Sequence, residues 1–328
     1  MKVLVVLLLV LLGIGCLFYS GLPEPVAKWF QSAPKPKPEE QKKTRNVQNK
    51  AAVPQPLPLP PGSFAEKLHR NAPPNRLHVA DVFFLANRTA KSGIADRDRE
   101  GLKKVLDEIR PQLEACRSLH DCPIFGITAE ELGQPLEYLS EFWRVATWMQ
   151  ISAEYQFRYG DRNAAARELE DLLKILDRFF TAAPCVVHCF AAIRYLNNAR
   201  NCLIRLPFDE AEKKRLTALL PSREKYIAAF RKSLATDKRS TFKYIYERPE
   251  GKAFGEIAEK VRKHDRKRLE SLSDQYIDAM AKNIEAGKTT DRQFKLPEAS
   301  DKENALLEPI FFEMARSLAN RSVTNLQP

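Results

Sequence analysis

Glycine is scarce in this chain. Twelve in 328 residues argue against a loop-rich β fold and against a phosphate-cradling α/β enzyme, since both place glycine at turns and wherever backbone approaches a ligand. No HExxH, GxSxG, GxGxxG or Walker sequence is present, so the local signatures of zinc proteases, α/β-hydrolases, dinucleotide binders and P-loop enzymes are missing. Cysteine is thin as well. Of the six, Cys16 lies inside an N-terminal apolar run, leaving Cys116, Cys122, Cys185, Cys189 and Cys202, too few per length for a disulfide scaffold. No catalytic residue and no cofactor is assigned from the sequence.

What is present is a strongly divided chain. Met1-Lys2 precedes an uncharged run whose apolar part, Val3 to Tyr19, sits at the short end of the ~17–25 residues that span a bilayer. The lone Lys2 favours a cytoplasmic N-terminus and an exported body. Three treatments of this run are open. Residues 1–22 form an uncut membrane anchor, or Leu12-Gly13-Ile14-Gly15-Cys16 is a lipoprotein signal with Cys16 as the lipidated residue, or the peptide is cleaved. The first two hold the body at a membrane, and the periplasmic side of a bacterial inner membrane is the expected location.

Residues 23–62 read as a linker. Pro34, Pro36, Pro38, Pro54, Pro56, Pro58, Pro60 and Pro61 leave no room for a helix or a packed strand, and such a segment extends at about 3.1 Å per residue where it adopts polyproline II. The net charge of +11 is concentrated here: residues 1–62 carry 8 Lys/Arg against 3 Asp/Glu. The body that follows is only mildly basic, and 44% apolar residues suffice for a buried core.

Residues 63–328 read as one all-α domain. Ser63 and Glu66 fit a capping box, and Pro73-Pro74 ends the helix that follows. A short apolar helix is expected at His78–Arg88. Leu102, Val105, Leu106, Ile109 and Leu113 fall on one helical stripe, with Pro111 expected to kink or divide it. The central feature is a helical hairpin. Leu136, Leu139, Phe142, Val145, Ala146, Met149, Ala153 and Phe157 make the buried stripe of its first helix. Gly160-Asp161 makes the turn with Asp161 as N-cap, and Ala165, Leu169, Leu172, Leu173, Leu176 and Phe180 make the second stripe. Ala153 and Ala165 take the small-residue places of a tetratricopeptide pair, although no second copy follows at that period. A helix is expected from Pro184 to Leu206, another after the capping pair Asp209 and Glu212, and a third from Ser222 towards Tyr246. One long helix is expected from Glu250 to Ala286, closed by Gly287. Asp301–Ala319 ends the fold, with a kink at Pro309. The architecture predicted is stacked helical hairpins.

The aromatic-rich helix before Gly160-Asp161, the Ala165-x-x-x-Leu169 start after it, the Pro184 helix and Asn304-Ala305-Leu306-Leu307-x-Pro309 carry a resemblance. Over about Asn75 to Ala319 the sequence resembles uncharacterised, membrane-anchored all-helical proteins of bacteria such as planctomycetes. The resemblance implies location and fold and brings no catalytic residues.

Three constellations remain as candidates. Cys116, His120 and Cys122, with Cys185, His188 and Cys189, supply ligand types for a zinc site, but at non-standard spacing. Alternatively Cys116 and Cys122 form a disulfide that closes their loop, or all are plain thiols. Glu66-x-x-His69 is half of a di-iron motif without its other half. Residues 212–248 hold 11 Lys/Arg and 4 Asp/Glu. The patch of Lys213, Lys214, Arg215, Arg231, Lys232, Lys238 and Arg239 suits lipid head groups or acidic polymer; the export signal makes nucleic acid the least favoured partner. The plainer reading has these cations balanced by acids such as Glu168, Glu170, Asp171 and Asp177. The function expected is a non-enzymatic envelope scaffold or adaptor that binds a protein partner. The alternatives are a polyanion- or lipid-binding protein and an enzyme whose site no motif marks. An open apolar groove would favour the adaptor, and a pocket of converging ionisable groups the enzyme.

Overall fold

A computed structural model describes residues 59–73, 92–127, 137–247, 255–291 and 294–326. The N-terminal run, Cys16, nearly all of the linker, the helix expected at His78–Arg88 and Leu136 of the hairpin stripe lie outside the described residues. Among those described there is no strand, and no helix is long and apolar enough to cross a membrane.

The body opens with α1 (Phe64–Asn71), whose N-cap Ser63 accepts from Glu66 N at 3.1 Å. The reciprocal half of the box is not made, because Glu66 turns to Arg70. A 3₁₀ turn at Asp96–Asp98 leads into α2 (Arg99–Cys116). Leu102, Leu106, Ile109 and Leu113 are buried along it, as their spacing predicts. Pro111 does not divide this helix, which runs through it unbroken. The proline ring is exposed, so water can satisfy the Asp107 carbonyl that loses its partner.

The hairpin forms as its sequence suggests. Helix α3 (Glu137–Tyr159) and helix α4 (Arg162–Ala182) meet at Gly160-Asp161, and Asp161 accepts from Asn163 N at 2.9 Å as N-cap. Ala153 and Ala165 are fully buried where the two helices approach. Helix α5 (Val186–Arg205) packs on both. Its N-cap residue Cys185 makes no side-chain cap; Asp237, from another helix, accepts from Val186 N at 3.0 Å instead. Phe142 stacks on Phe179 at 3.6 Å, and Phe64, Phe125, Tyr138 and Tyr195 complete an aromatic core there.

Helix α6 (Glu210–Thr217) is capped by Asp209, which accepts from Glu212 N, and Phe208 packs edge-on to Phe157. Helix α7 (Arg223–Glu247) follows. The long helix expected over 250–286 is in fact two, α8 (Gly255–Arg262) and α9 (Arg266–Glu285). Asp265 ends the first by capping the second, accepting from Lys267 N at 2.9 Å, and the Tyr246 hydroxyl lies between the Val261 and His264 carbonyls at 2.9 and 3.1 Å, its one proton shared between them. Gly287, at φ +66°, closes α9 in the left-handed conformation a C-terminal glycine supplies. Helix α10 (Asp301–Leu307) starts with a full Ser300–Glu303 capping box. At Pro309 the chain widens into a π turn (Glu308–Phe312) before α11 (Glu313–Leu326), which runs past the expected end at Ala319. A second packing centre joins α7, α9 and α11, with Tyr276 stacked on Phe312 at 3.8 Å.

Candidate functional site

The histidines and cysteines singled out as metal ligands are each committed elsewhere. His188 is fully buried, with Nε2 2.7 Å from the Phe179 carbonyl and Nδ1 2.9 Å from the Tyr138 hydroxyl. A carbonyl only accepts, so Nε2 carries the proton and Nδ1 accepts from Tyr138. Neither nitrogen is left for a metal, and burial pulls the imidazole pKa down to about 3. His120 gives Nδ1–H to the Arg117 carbonyl at 2.8 Å. The loop after Cys122 does fold onto the start of α5, where Phe125 meets His188 edge-on at 5.3 Å. It brings an aromatic ring rather than thiols. Among the described residues no three His, Cys, Asp or Glu side chains gather as a metal would require.

Cys116 and Cys122 are free thiols in this structure, not a disulfide. Cys116 lies 3.7 Å from the Asn71 carbonyl and Cys122 3.9 Å from the Ser118 carbonyl, so each sulfur faces its own backbone acceptor. Burial pushes the Cys116, Cys185 and Cys189 thiols up to about 12, far from the thiolate that metal binding or nucleophilic attack needs.

The basic segment is largely answered within the body. Arg215 pairs with Glu170 and Glu212, Lys213 with Glu210, Arg231 with Asp278 and Lys238 with Asp274. Lys232 donates to the Ala182 carbonyl at 3.1 Å. Two of the balancing acids expected from the sequence do sit here, Glu170 on Arg215 and Asp177 on Lys225 at 2.7 Å; the other two, Glu168 and Asp171, face Arg117. Lys214 and Arg239 remain exposed at the surface.

A cleft of about 430 Å³ lies between α2 and α3, with α4 at its base. Its charge comes from one face of α2. Arg99, Lys103 and Arg110, with Arg117 just past the helix end, recur at helical spacing with Glu100, Asp107 and Glu114 between them. Each cation has an acid at hand: Asp107 lies 2.6 Å from Arg110 and 3.9 Å from Lys103, and Glu114 lies 3.6 Å from Arg117. From α3 come Ser152, Tyr155 and Tyr159. The Arg99 guanidinium lies over the Tyr159 ring at 4.7 Å, while the Tyr159 hydroxyl donates to Asp96 at 2.6 Å.

At the base, Glu168 is 3% exposed and accepts from the Ser152 hydroxyl at 2.8 Å, with Arg117 at 3.8 Å. Burial raises its pKa despite those two partners. A carboxylate so raised is a chemical candidate for proton transfer. Its serine partner donates to it through a hydroxyl only, and no imidazole lines the cleft to relay a proton.

A second buried carboxylate ties the cleft's framework together. Glu154, 1% exposed, accepts from Ile94 N at 2.9 Å, Arg158 at 3.1 Å and Arg205 at 3.0 Å. It thereby fastens the strap before α2 to α3 and α5. Gly93 permits this, since at φ +82° a Cβ there would stand 2.7 Å from the Glu154 carboxylate.

Neither Glu154 nor Ser152 stood out in the sequence, because a carboxylate in mid-helix and a serine sixteen residues before its partner carry no local mark. The apolar stripe of α2 was read from the sequence, but its opposite, charged face was not recognised as the wall of a cleft. Among the described residues, the large apolar side chains left exposed are Ile124 and Ile204. No family model, curated protein or solved structure matches the chain.

Proposed function

We propose that this chain is a non-enzymatic scaffold of the bacterial cell envelope. Its N-terminal run and proline-rich 23–62 segment hold an all-α body on the outer side of a membrane, and the α2–α3 cleft receives a segment of a protein partner. The observation that carries this reading is the shape and charge of the cleft. Its wall runs the length of α2, about 27 Å at 1.5 Å per residue, which fits a length of polypeptide better than a compact metabolite. Small-molecule sites are concave and mostly apolar, with a few convergent polar groups. Here the ionisable groups mostly pair along α2 rather than converge on one point as an enzyme's would: cations and acids alternate and answer one another, a pattern that gives register to a partner carrying the complementary alternation.

The test is a photo-crosslinking residue placed at Gln156 in the cleft wall, with another at Arg239 as control, in the full chain in its own membranes. A discrete adduct from position 156, absent from 239 and lost when Lys103→Glu and Arg110→Glu are added, is the expected result. Equal labelling from both positions, or an adduct that survives charge reversal, would overturn the reading.

A further inference from the structure

Helices α8 and α10 pack against each other, and a groove of about 340 Å³ lies at their contact. Its floor is apolar, made by Ile257, Ala305 and Leu306; its rim carries Lys260, Lys263 and Lys302, with His264 beside them. No carboxylate lines it.

These lysines differ from the other cations of this region. Arg266 has Glu270 at 2.7 Å, Arg268 has Glu303 at 3.1 Å and Lys295 has Asp301 at 2.7 Å. Among the described residues, Lys260, Lys263 and Lys302 have no ion-pair partner. Folding explains Lys260 and also Lys263, which directly follows the last residue of α8, but not Lys302. Lys260 lies in the last turn of α8, where a cation is favoured by the helix dipole. Lys302 lies in the first turn of α10, where the same dipole disfavours a cation. Three positive charges around one groove also repel one another. Nothing in the packing answers this arrangement, whereas an anion seated among the ammonium groups would.

We infer that the α8–α10 groove binds an anionic phospholipid. The phosphate sits among Lys260, Lys263 and Lys302, and the glycerol end of the acyl chains lies on Ile257, Ala305 and Leu306. The lysines select the charge, and the apolar floor selects an amphiphile over a free anion. From the proposed function this borrows only the nearness of lipid, and the groove shares no residue with the α2–α3 cleft.

The test is calorimetric titration of the full chain, held in phosphatidylcholine nanodiscs, with three water-soluble probes: dihexanoyl phosphatidylglycerol, dihexanoyl phosphatidylcholine and inorganic phosphate. Saturable binding of the phosphatidylglycerol is expected, with phosphate at least tenfold weaker and no saturable binding of the choline lipid. Each lysine at an anionic head group is worth about fivefold. Lys263→Gln with Lys302→Gln should therefore weaken binding about twenty-five-fold, and the paired Glu substitutions more. All four changes are at exposed positions, so an unchanged melting curve verifies folding. Phosphatidylglycerol binding that is absent, or indifferent to both double variants, would overturn the proposal. So would phosphate binding as tightly as the lipid, which would assign the lysines to a free anion. None of these outcomes depends on where the body lies or on whether the cleft holds a partner.

Discussion

His188 and Asp237 both serve the first turn of α5, and burial displaces their ionisation in opposite directions. Asp237 accepts from Val186 N at 3.0 Å, yet desolvation carries its carboxyl from an ordinary 3.8 up to about 6. Between those values the folded chain keeps a proton that the unfolded chain releases, so this group's stabilisation is complete below pH 4 and is lost as pH rises through 6. His188 falls from 6.5 to about 3. Below pH 6.5 the unfolded chain takes up a proton that the folded imidazole, held between Tyr138 and Phe179 and facing the Lys232 charge, does not, so stability drains away on acidification. Between pH 4 and 6 the two slopes cancel. Asp237→Asn keeps an acceptor for Val186 N but removes one slope. Relative to wild type, its unfolding free energy should decline by about 1.4 kcal/mol for each pH unit from 6 to 4, about 3 kcal/mol in all at most. Urea titrations of both proteins at pH 4, 5 and 6 measure this; a constant difference across the three would show that Asp237 is not the compensating group.

At the scale of elements, Pro111 gives the clearest prediction. It costs α2 one backbone hydrogen bond and sets its ring against the preceding turn, yet the helix continues from Arg99 to Cys116. The buried stripe of Leu102, Leu106, Ile109 and Leu113 holds the helix together against that cost. Pro111→Ala should therefore raise stability, by about 1–3 kcal/mol on the penalty of an interior proline, with cleft-dependent crosslinking retained. A loss of stability would mean that the proline sets a bend the packing requires. Where the chain was legible, a local rule and the packing agreed. Ser63, Asp161 and Asp209 cap the helices whose apolar stripes begin just after them, and Gly287 closes α9. The break between α8 and α9 was missed because apolar residues continue across it at helical spacing. The Asp265 cap of α9 and the Tyr246 hydroxyl from α7, set between the Val261 and His264 carbonyls, show why the chain stops there. The two sites were still less legible. The Ser152–Glu168 contact depends on the register of α3 against α4, and the lysine groove on bringing residues 260 and 302 together, neither of which spacing alone encodes.

For the molecule as a whole, the charges divide into three groups. Residues 212–248 stand out in the sequence, but their cations are mostly spent on acids and carbonyls of the body. The α2 stripe is balanced within itself. The lysine groove of the body has no carboxylate in its lining, and in the sequence Lys42, Lys43, Arg45 and Lys50 follow Glu39 and Glu40 to leave that part of the linker basic. If the body stands outside the membrane, trypsin added to intact spheroplasts should cut at the linker sites first. Lys35 and Lys37 precede proline and are poor sites, so cleavage is expected within 42–50, releasing the folded body as a soluble fragment. Either form of N-terminal attachment gives this release. Labelled palmitate on the fragment left in the membrane would identify Cys16 as the lipidated residue, and its absence would favour the uncut span. A body that stays whole until the spheroplasts are lysed would place it on the cytoplasmic side and remove the envelope location on which the scaffold reading depends.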